Sequence, residues 1–175
     1  AQYRDGEPDA ALAAADRFIK ANPRHPYVDY AYYMKGLINF QRSNTLFDRL
    51  APADRSKTDT NSARQSYNDF SELVQKFPKS KYAADARQRI VFLHNSLATY
   101  EVNVADYYLR RGAYVAAVNR AKYVLENYAR TPVTERALQV MTEGYMKMNM
   151  PQLANDSLRV LEKNYPDSPA LPQLT

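Results

Sequence analysis

Two histidines, His25 and His94, are the chain's only candidates for imidazole chemistry, and no cysteine accompanies them. His25 lies in a proline-bounded turn and His94 in a helix-friendly run. Neither has a His, Cys or carboxylate at metal-ligand spacing, and no HExxH is present. His25 therefore reads as a turn residue bonding nearby backbone, and His94 as a half-buried helix residue. Glu101 and Asp106, five apart on a helix, do not share a face well enough for paired acid–base work. Gly6, Gly36, Gly112 and Gly144 are too scattered to form a phosphate-cradling loop. These residues predict no enzyme, no metal and no cofactor.

What the chain does carry is a repeated phrase: Asn22-Pro23-Arg24-His25-Pro26-Tyr27, Phe77-Pro78-Lys79-Ser80-Lys81-Tyr82, Tyr128-Ala129-Arg130-Thr131-Pro132-Val133 and Tyr165-Pro166-Asp167-Ser168-Pro169-Ala170. In three copies an alanine follows at one offset: Ala31, Ala86 and Ala137. Each phrase closes one apolar helical run and opens another. The last interval, 37 residues, is close to the tetratricopeptide (TPR) unit of two antiparallel helices. Apolar residues three and four apart, such as Leu138, Met141 and Tyr145, follow the helical period. The prediction is an all-α, right-handed superhelical stack of TPR-like antiparallel helix hairpins.

Helices are expected at about 8–21, 27–42, 60–76, 81–111, 113–128, 132–148 and 151–164. Pro8, Pro26 and Pro151 suit first helical turns, and Asp59 or Thr60 can cap the third helix. Residues 81–111 contain no Pro or Gly and read most simply as one helix, with two helices broken near Ala98 as the alternative. The organisation is a single TPR-repeat domain, 1–175: a truncated repeat 1–23, a repeat 27–78 with an inserted loop 44–59, a repeat 81–129 with a long first helix, a last repeat 132–166 and a tail 167–175.

In such a stack the first helix of each hairpin lines the groove. The groove candidates are Tyr30, Tyr33, Leu37, Phe40 and Gln41, then Thr99, Val102, Asp106, Leu109 and Arg110, then Arg136, Gln139, Glu143, Met146 and Lys147. Asp106 and Glu143 would repel a peptide carboxylate, so a carboxylate clamp is not expected. A mixed apolar–aromatic groove for extended segments or a partner domain is. Leu46, Phe47 and Leu50 form an apolar wedge within the inserted loop, either a second contact or packing over the hairpins.

The net charge of +5 is spread along the chain, with no basic tail to suggest nucleic acid. No uninterrupted apolar stretch approaches the length of a membrane span, and the first residues show no signal-peptide pattern. The chain therefore reads as a cut from a longer precursor.

The runs Ala15-Asp16-Arg17-Phe18-Ile19, His25-Pro26, Met34-Lys35-Gly36-Leu37, Val91-Phe92-Leu93, Tyr100-Glu101, Ala105-Asp106-Tyr107-Tyr108, Arg111-Gly112-Ala113 and Val118-Asn119-Arg120 resemble the BamD family of outer-membrane assembly lipoproteins, ComL-type TPR lipoproteins. The resemblance covers nearly the whole chain. Ala113–Arg120 is its most specific part, and the 44–59 insertion departs from it. It implies five TPR units, with about the first unit and a half missing. The lipidated N-terminal cysteine that supplies the only membrane contact, at the periplasmic face of the Gram-negative outer membrane, is absent from this chain too. It further implies a non-enzymatic scaffold of the β-barrel assembly machinery, docking the BamA periplasmic domain and BamC/BamE-type lipoproteins. Asn119 and Arg120, with Arg110 and Tyr107, are the partner-binding residues it points to. An Arg120→Glu change is expected to weaken that docking without unfolding the chain. A chaperone-like receptor for unfolded outer-membrane precursors, or an adaptor of another complex, is the alternative.

Overall fold

The computed structural model describes residues 8–49 and 60–174, and of 44–49 the backbone alone. The described residues hold helices and turns and no strand. The helices are α1 (Pro8–Ala21), α2 (Val28–Arg49), α3 (Asn61–Lys76), α4 (Ala83–Arg110), α5 (Tyr114–Asn127), α6 (Thr134–Lys147), α7 (Pro151–Asn164) and the short α8 (Leu171–Leu174). The long helix is a single one of 28 residues. Consecutive helices pack on one another in TPR-like hairpins. The fold falls into two compact units, Ala1–His94 and Asn95–Thr175.

Some of the expected helix ends change. α2 continues to Arg49 instead of ending near residue 42, because Ser43–Arg49 contains no breaker. Asp59, Leu50 and the rest of the expected loop to residue 59 lie outside the described residues, as do the side chains of Leu46 and Phe47. Pro26 sits in the turn two residues ahead of α2, whereas Pro8 and Pro151 do open their helices. Thr60 occupies the N-cap position of α3 without capping it; its hydroxyl accepts from Arg64 Nε at 3.3 Å.

The repeated phrase is one hydrogen-bonded device. Its fourth residue is a node: His25, Ser80 and Ser168 donate their backbone N–H to the carbonyl three residues back, at Asn22, Phe77 and Tyr165. The carbonyls of His25, Ser80, Thr131 and Ser168 accept from Val28, Ala83, Thr134 and Leu171. The node side chain then accepts from the N–H two residues on: Tyr27 to His25 Nδ1 at 3.2 Å, Tyr82 to Ser80 Oγ at 3.2 Å, Ala170 to Ser168 Oγ at 3.4 Å. Short polar side chains can mimic a backbone turn in this way.

The third copy is built differently. It has Ala129 where the others have Pro23, Pro78 and Pro166, so no ring fixes φ there. Arg130 adopts a left-handed φ of 64°, and Thr131 Oγ1 donates to the Tyr128 carbonyl at 2.9 Å. A hydroxyl thus supplies the donor that a peptide N–H supplies elsewhere. The turns within the later hairpins repeat as well. Gly112 (φ 74°) and Asn149 (φ 57°) are both left-handed, and the following N–H groups of Ala113 and Met150 reach back to the Tyr108 and Tyr145 carbonyls, each at 3.0 Å.

In the first unit, α2 and α3 run antiparallel: Tyr32 meets Lys76, and Asn39 meets Asp69. Gly36 lets them approach, since a Cβ there would lie 2.5 Å from the Phe70 ring. Phe70, wholly buried with Ile38, Leu73 and Leu93, contributes about 2–3 kcal/mol through apolar burial. The contacts Tyr30–Tyr82, Tyr33–Asp85 and Phe40–Phe92 keep one offset, so α4 begins parallel to α2, as the first helix of a next hairpin should. In the second unit, α4 and α5 pair through Glu101 and Arg120, α5 and α6 close over Gly144 against Val118, and Thr142 bonds Ser157 between α6 and α7. Ala98, Ala105, Ala117, Ala121 and Ala137 are buried where these helices cross.

Candidate partner-binding surfaces

The first unit presents an aromatic ladder along α2 and the start of α4. Tyr30 and Tyr33 lie 5.5 Å and 4.6 Å from the Tyr82 ring, the second pair stacked at 16°. Tyr33 and Phe40 both reach Phe70, and Phe40 meets Phe92 at 5.7 Å. The ladder is partly open to solvent: Tyr30 is 45% exposed and Phe92 50%. Arg89 lies over Phe40 at 4.7 Å and pairs with Asp85 at 2.6 Å. Asp85 also accepts from the Tyr33 hydroxyl at 2.7 Å.

These bonds tune the charges. Burial pushes the Asp85 carboxyl up, but hydrogen bonds from Arg89 and Tyr33 outweigh it and leave the value lowered. Burial, then the bond to Asp85, raises the Tyr33 phenol. The ladder is therefore an ordered surface of stacked rings, with Leu37 half-buried beside it. Tyr82, Asp85, Arg89 and Phe92 were not among the site residues expected from the sequence, although their spacing of three, four and three already places them on one helical face.

The second unit holds the other candidates. Arg120 Nη1 donates to Glu101 Oε2 at 2.8 Å, with the Arg120 side chain 46% exposed and Glu101 only 1%. Arg120 is thus a cation that seals a buried carboxylate while its outer edge faces water. Asn119 is exposed and borders an open cavity of about 480 Å³ shared with Gly112, Ala113, Tyr114, Val115 and Met148. Tyr107, 37% exposed, carries the Arg111 guanidinium over its ring at 5.4 Å, and Arg110 is exposed at the end of α4.

The four candidates share one hairpin without forming one cluster. Glu101, level with Arg120, precedes Tyr107 by six residues, about 9 Å along α4. Val115, 63% exposed, and Met148 border the Asn119 cavity and were not anticipated.

Several groove expectations change. Val102 and Leu109 are buried, so they pack the core instead of lining a surface. Asp106 is held by Arg136, with Nη2 at 2.6 Å and Nε at 3.1 Å, so its charge is neutralised and not presented to a ligand. Arg136 also donates to Gln139 at 3.0 Å. The histidines are as read: His25 bonds its own turn, and His94 stacks on Tyr67 at 6.1 Å. Among the described residues no group of His, Cys, Asp and Glu could hold a metal, and no helix is long and apolar enough to cross a membrane.

The described helical hairpins thus present partly open aromatic and cationic faces. Residues 1–161 match the family described as outer membrane lipoprotein (YfiO). The chain belongs to that family. It is 47% identical over 171 residues to the outer membrane protein assembly factor BamD of Neisseria gonorrhoeae, covering 98% of this chain and 64% of that protein. It is 47% identical over 173 residues to that of Neisseria meningitidis serogroup B, covering 99% and 65%. To that of Xylella fastidiosa it is 39% identical over 171 residues, covering 98% and 58%. The chain thus spans somewhat less than two thirds of these relatives. Their shared description is that of an assembly factor, not of an enzyme.

Proposed function

We propose that this chain is the greater part of a non-enzymatic scaffold for outer-membrane protein assembly, lipid-anchored in full length at the periplasmic face of the outer membrane. In this reading it docks the periplasmic part of BamA through the Asn119–Arg120 edge of α5, with BamC- and BamE-type lipoproteins on other faces. The observation that carries the proposal is the pairing of Arg120 with Glu101. A guanidinium anchored at one nitrogen has lost much of its rotamer freedom, so its outward edge is preset for a partner carboxylate. The Asn119 cavity beside it offers apolar wall from Val115 and Met148. The test is capture of a purified BamA periplasmic region by this chain. Asn119→Glu, which leaves the ion pair in place, is expected to lower capture about tenfold, and undiminished capture overturns the proposal.

A second reading rests on the aromatic ladder. Its open rungs Tyr30 and Phe92 suit extended apolar–aromatic segments of unfolded outer-membrane precursors. Photocrosslinking from position 30 to a precursor-derived peptide tests it, and crosslinks confined to other faces count against it.

A further inference from the structure

We infer that the turn edge of the first unit is an electropositive docking rim for an acidic, extended segment of a partner protein that places one apolar side chain into the cavity between the two turns. The α5 edge is not involved, and the rim touches the aromatic ladder where Lys81 Nζ lies 5.1 Å over the Tyr82 ring.

The α1–α2 and α3–α4 turns lie side by side, tied by Ser80 Oγ donating to Asp29 Oδ2 at 2.6 Å. Between them opens a cavity of about 400 Å³ with Pro26, Val28, Phe77 and Pro78 as its apolar wall. Lys79 and Lys76 stand on its border, and Arg87 bends over it, donating to the Pro78 carbonyl at 3.3 Å.

The Asp29 carboxylate lines this cavity, bonded to Ser80, and the two turns that flank it carry an excess of cations. From residue 18 to 27 the chain carries Lys20 and Arg24 and no acid; from 73 to 82 it carries Lys76, Lys79 and Lys81 and no acid. Lys20, Arg24, Lys79, Lys81 and Arg87 are all exposed. The nearest carboxylates along the chain are already engaged. Asp29 accepts from Ser80 and from the Tyr30 N–H, Glu72 holds Lys76 at 2.6 Å, and Asp85 holds Arg89.

The repeat supplies its own control. The same windows in the later copies carry Glu126 and Arg130, then Glu162, Lys163 and Asp167. The device folds with either balance of charge, so the cations of the first two copies are not required by the turn. Charge complementarity selects an acidic partner. The recessed apolar wall selects a polypeptide side chain over a flat bilayer face, because the apolar group must come from the visitor.

The test uses the full chain and a labelled peptide with one phenylalanine flanked by aspartates and glutamates, read by fluorescence anisotropy. Binding is expected to weaken as salt rises. It should fall about tenfold in each of Arg24→Glu and Lys79→Glu, exposed positions where circular dichroism should stay unchanged. It should also fall when the peptide phenylalanine becomes asparagine, and persist in Asn119→Glu. Unaltered affinity in the two reversals overturns the inference. So does equal binding of an amide-substituted neutral peptide. Phosphatidylglycerol vesicles binding with the same dependence on Arg24 and Lys79 would assign the rim to a membrane and overturn the peptide reading, as would salt-sensitive dimerisation in sedimentation.

Discussion

Ser80 Oγ lies 2.6 Å from Asp29 Oδ2, and Ser168 Oγ lies 2.6 Å from Glu135 Oε1, so the node hydroxyl of one turn grips a carboxylate at the start of the preceding repeat's helix. At the corresponding position of the second copy stands Ala84, and there Thr131 spends its hydroxyl inside its own turn. A hydrogen bond to a charged, part-buried acceptor is worth about 1.5–3 kcal/mol. Ser80→Ala should lower stability by that amount in urea denaturation, and the exposed Lys81→Ala by far less.

Gly36 and Gly112 should fail differently when changed to alanine. At Gly36 the new methyl meets the buried Phe70 ring at 2.5 Å, so helix packing must shift, at a cost of about 2–3 kcal/mol. At Gly112 the space is open and only the left-handed φ of 74° resists, costing about 1–2 kcal/mol. Thermal unfolding of both variants checks the order.

Arg120→Glu, expected from the sequence to weaken docking without unfolding the chain, should also lower stability. Glu101 is almost wholly buried and Arg120 neutralises it, so a second carboxylate there leaves one charge buried and opposed. The expected loss is about 2–3 kcal/mol, moderated because Arg120 itself is half in water. Adding Glu101→Gln to Arg120→Glu should recover most of it. A double-mutant cycle that shows no coupling would refute the pairing.

Acid should act on the first unit in two opposed ways. The lowered Asp85 carboxyl contributes stability that is present above its unfolded value of 3.8 and fades as pH falls through the lower folded value. Asp69, 2% exposed, behaves in reverse. Burial raises its carboxyl despite the bonds from Asn39 at 2.8 Å and Gln65 at 3.0 Å and the charge of Lys35 at 3.6 Å. Its contribution is full below 3.8 and is lost as pH rises through the raised folded value. Lys35 remains charged throughout, since its bond to Asp16 and the charges of Asp69, Asp16 and Glu72 outweigh its own burial. Asp69→Asn should therefore compare more favourably with the parent at pH 7 than at pH 4, in denaturation curves taken at both.

Thr131→Val removes the donor that stands in for a peptide N–H and should cost about 1–2 kcal/mol. Arg130→Gly, at φ 64°, should be neutral or gain up to about 1 kcal/mol as relief of the left-handed strain offsets added chain entropy. Differential scanning calorimetry separates the two outcomes.

The helices were legible because their apolar residues recur every three or four positions and Pro-bearing phrases punctuate them. α4 was readable as one helix for want of any breaker between Tyr82 and Arg111. The surfaces were less so. Periodicity places a residue on a face but does not say which other helix covers it, so Val102 and Leu109 passed for groove positions. Charges were hardest: Arg120 with Glu101 and Arg136 with Asp106 lie 19 and 30 residues apart, and only the hairpin register brings them together.

Because every phrase ties itself off through bonds spanning three residues, it is indifferent to how much helix precedes it. The stretch from one phrase to the next is 51 residues across α4 and 37 in the last repeat, an excess of 14 that is close to four whole helical turns. Growth in such quanta leaves the inward stripe in phase. An engineer could lengthen or trim this helix by one turn at a time, where a single added residue would rotate its later face by about 100°.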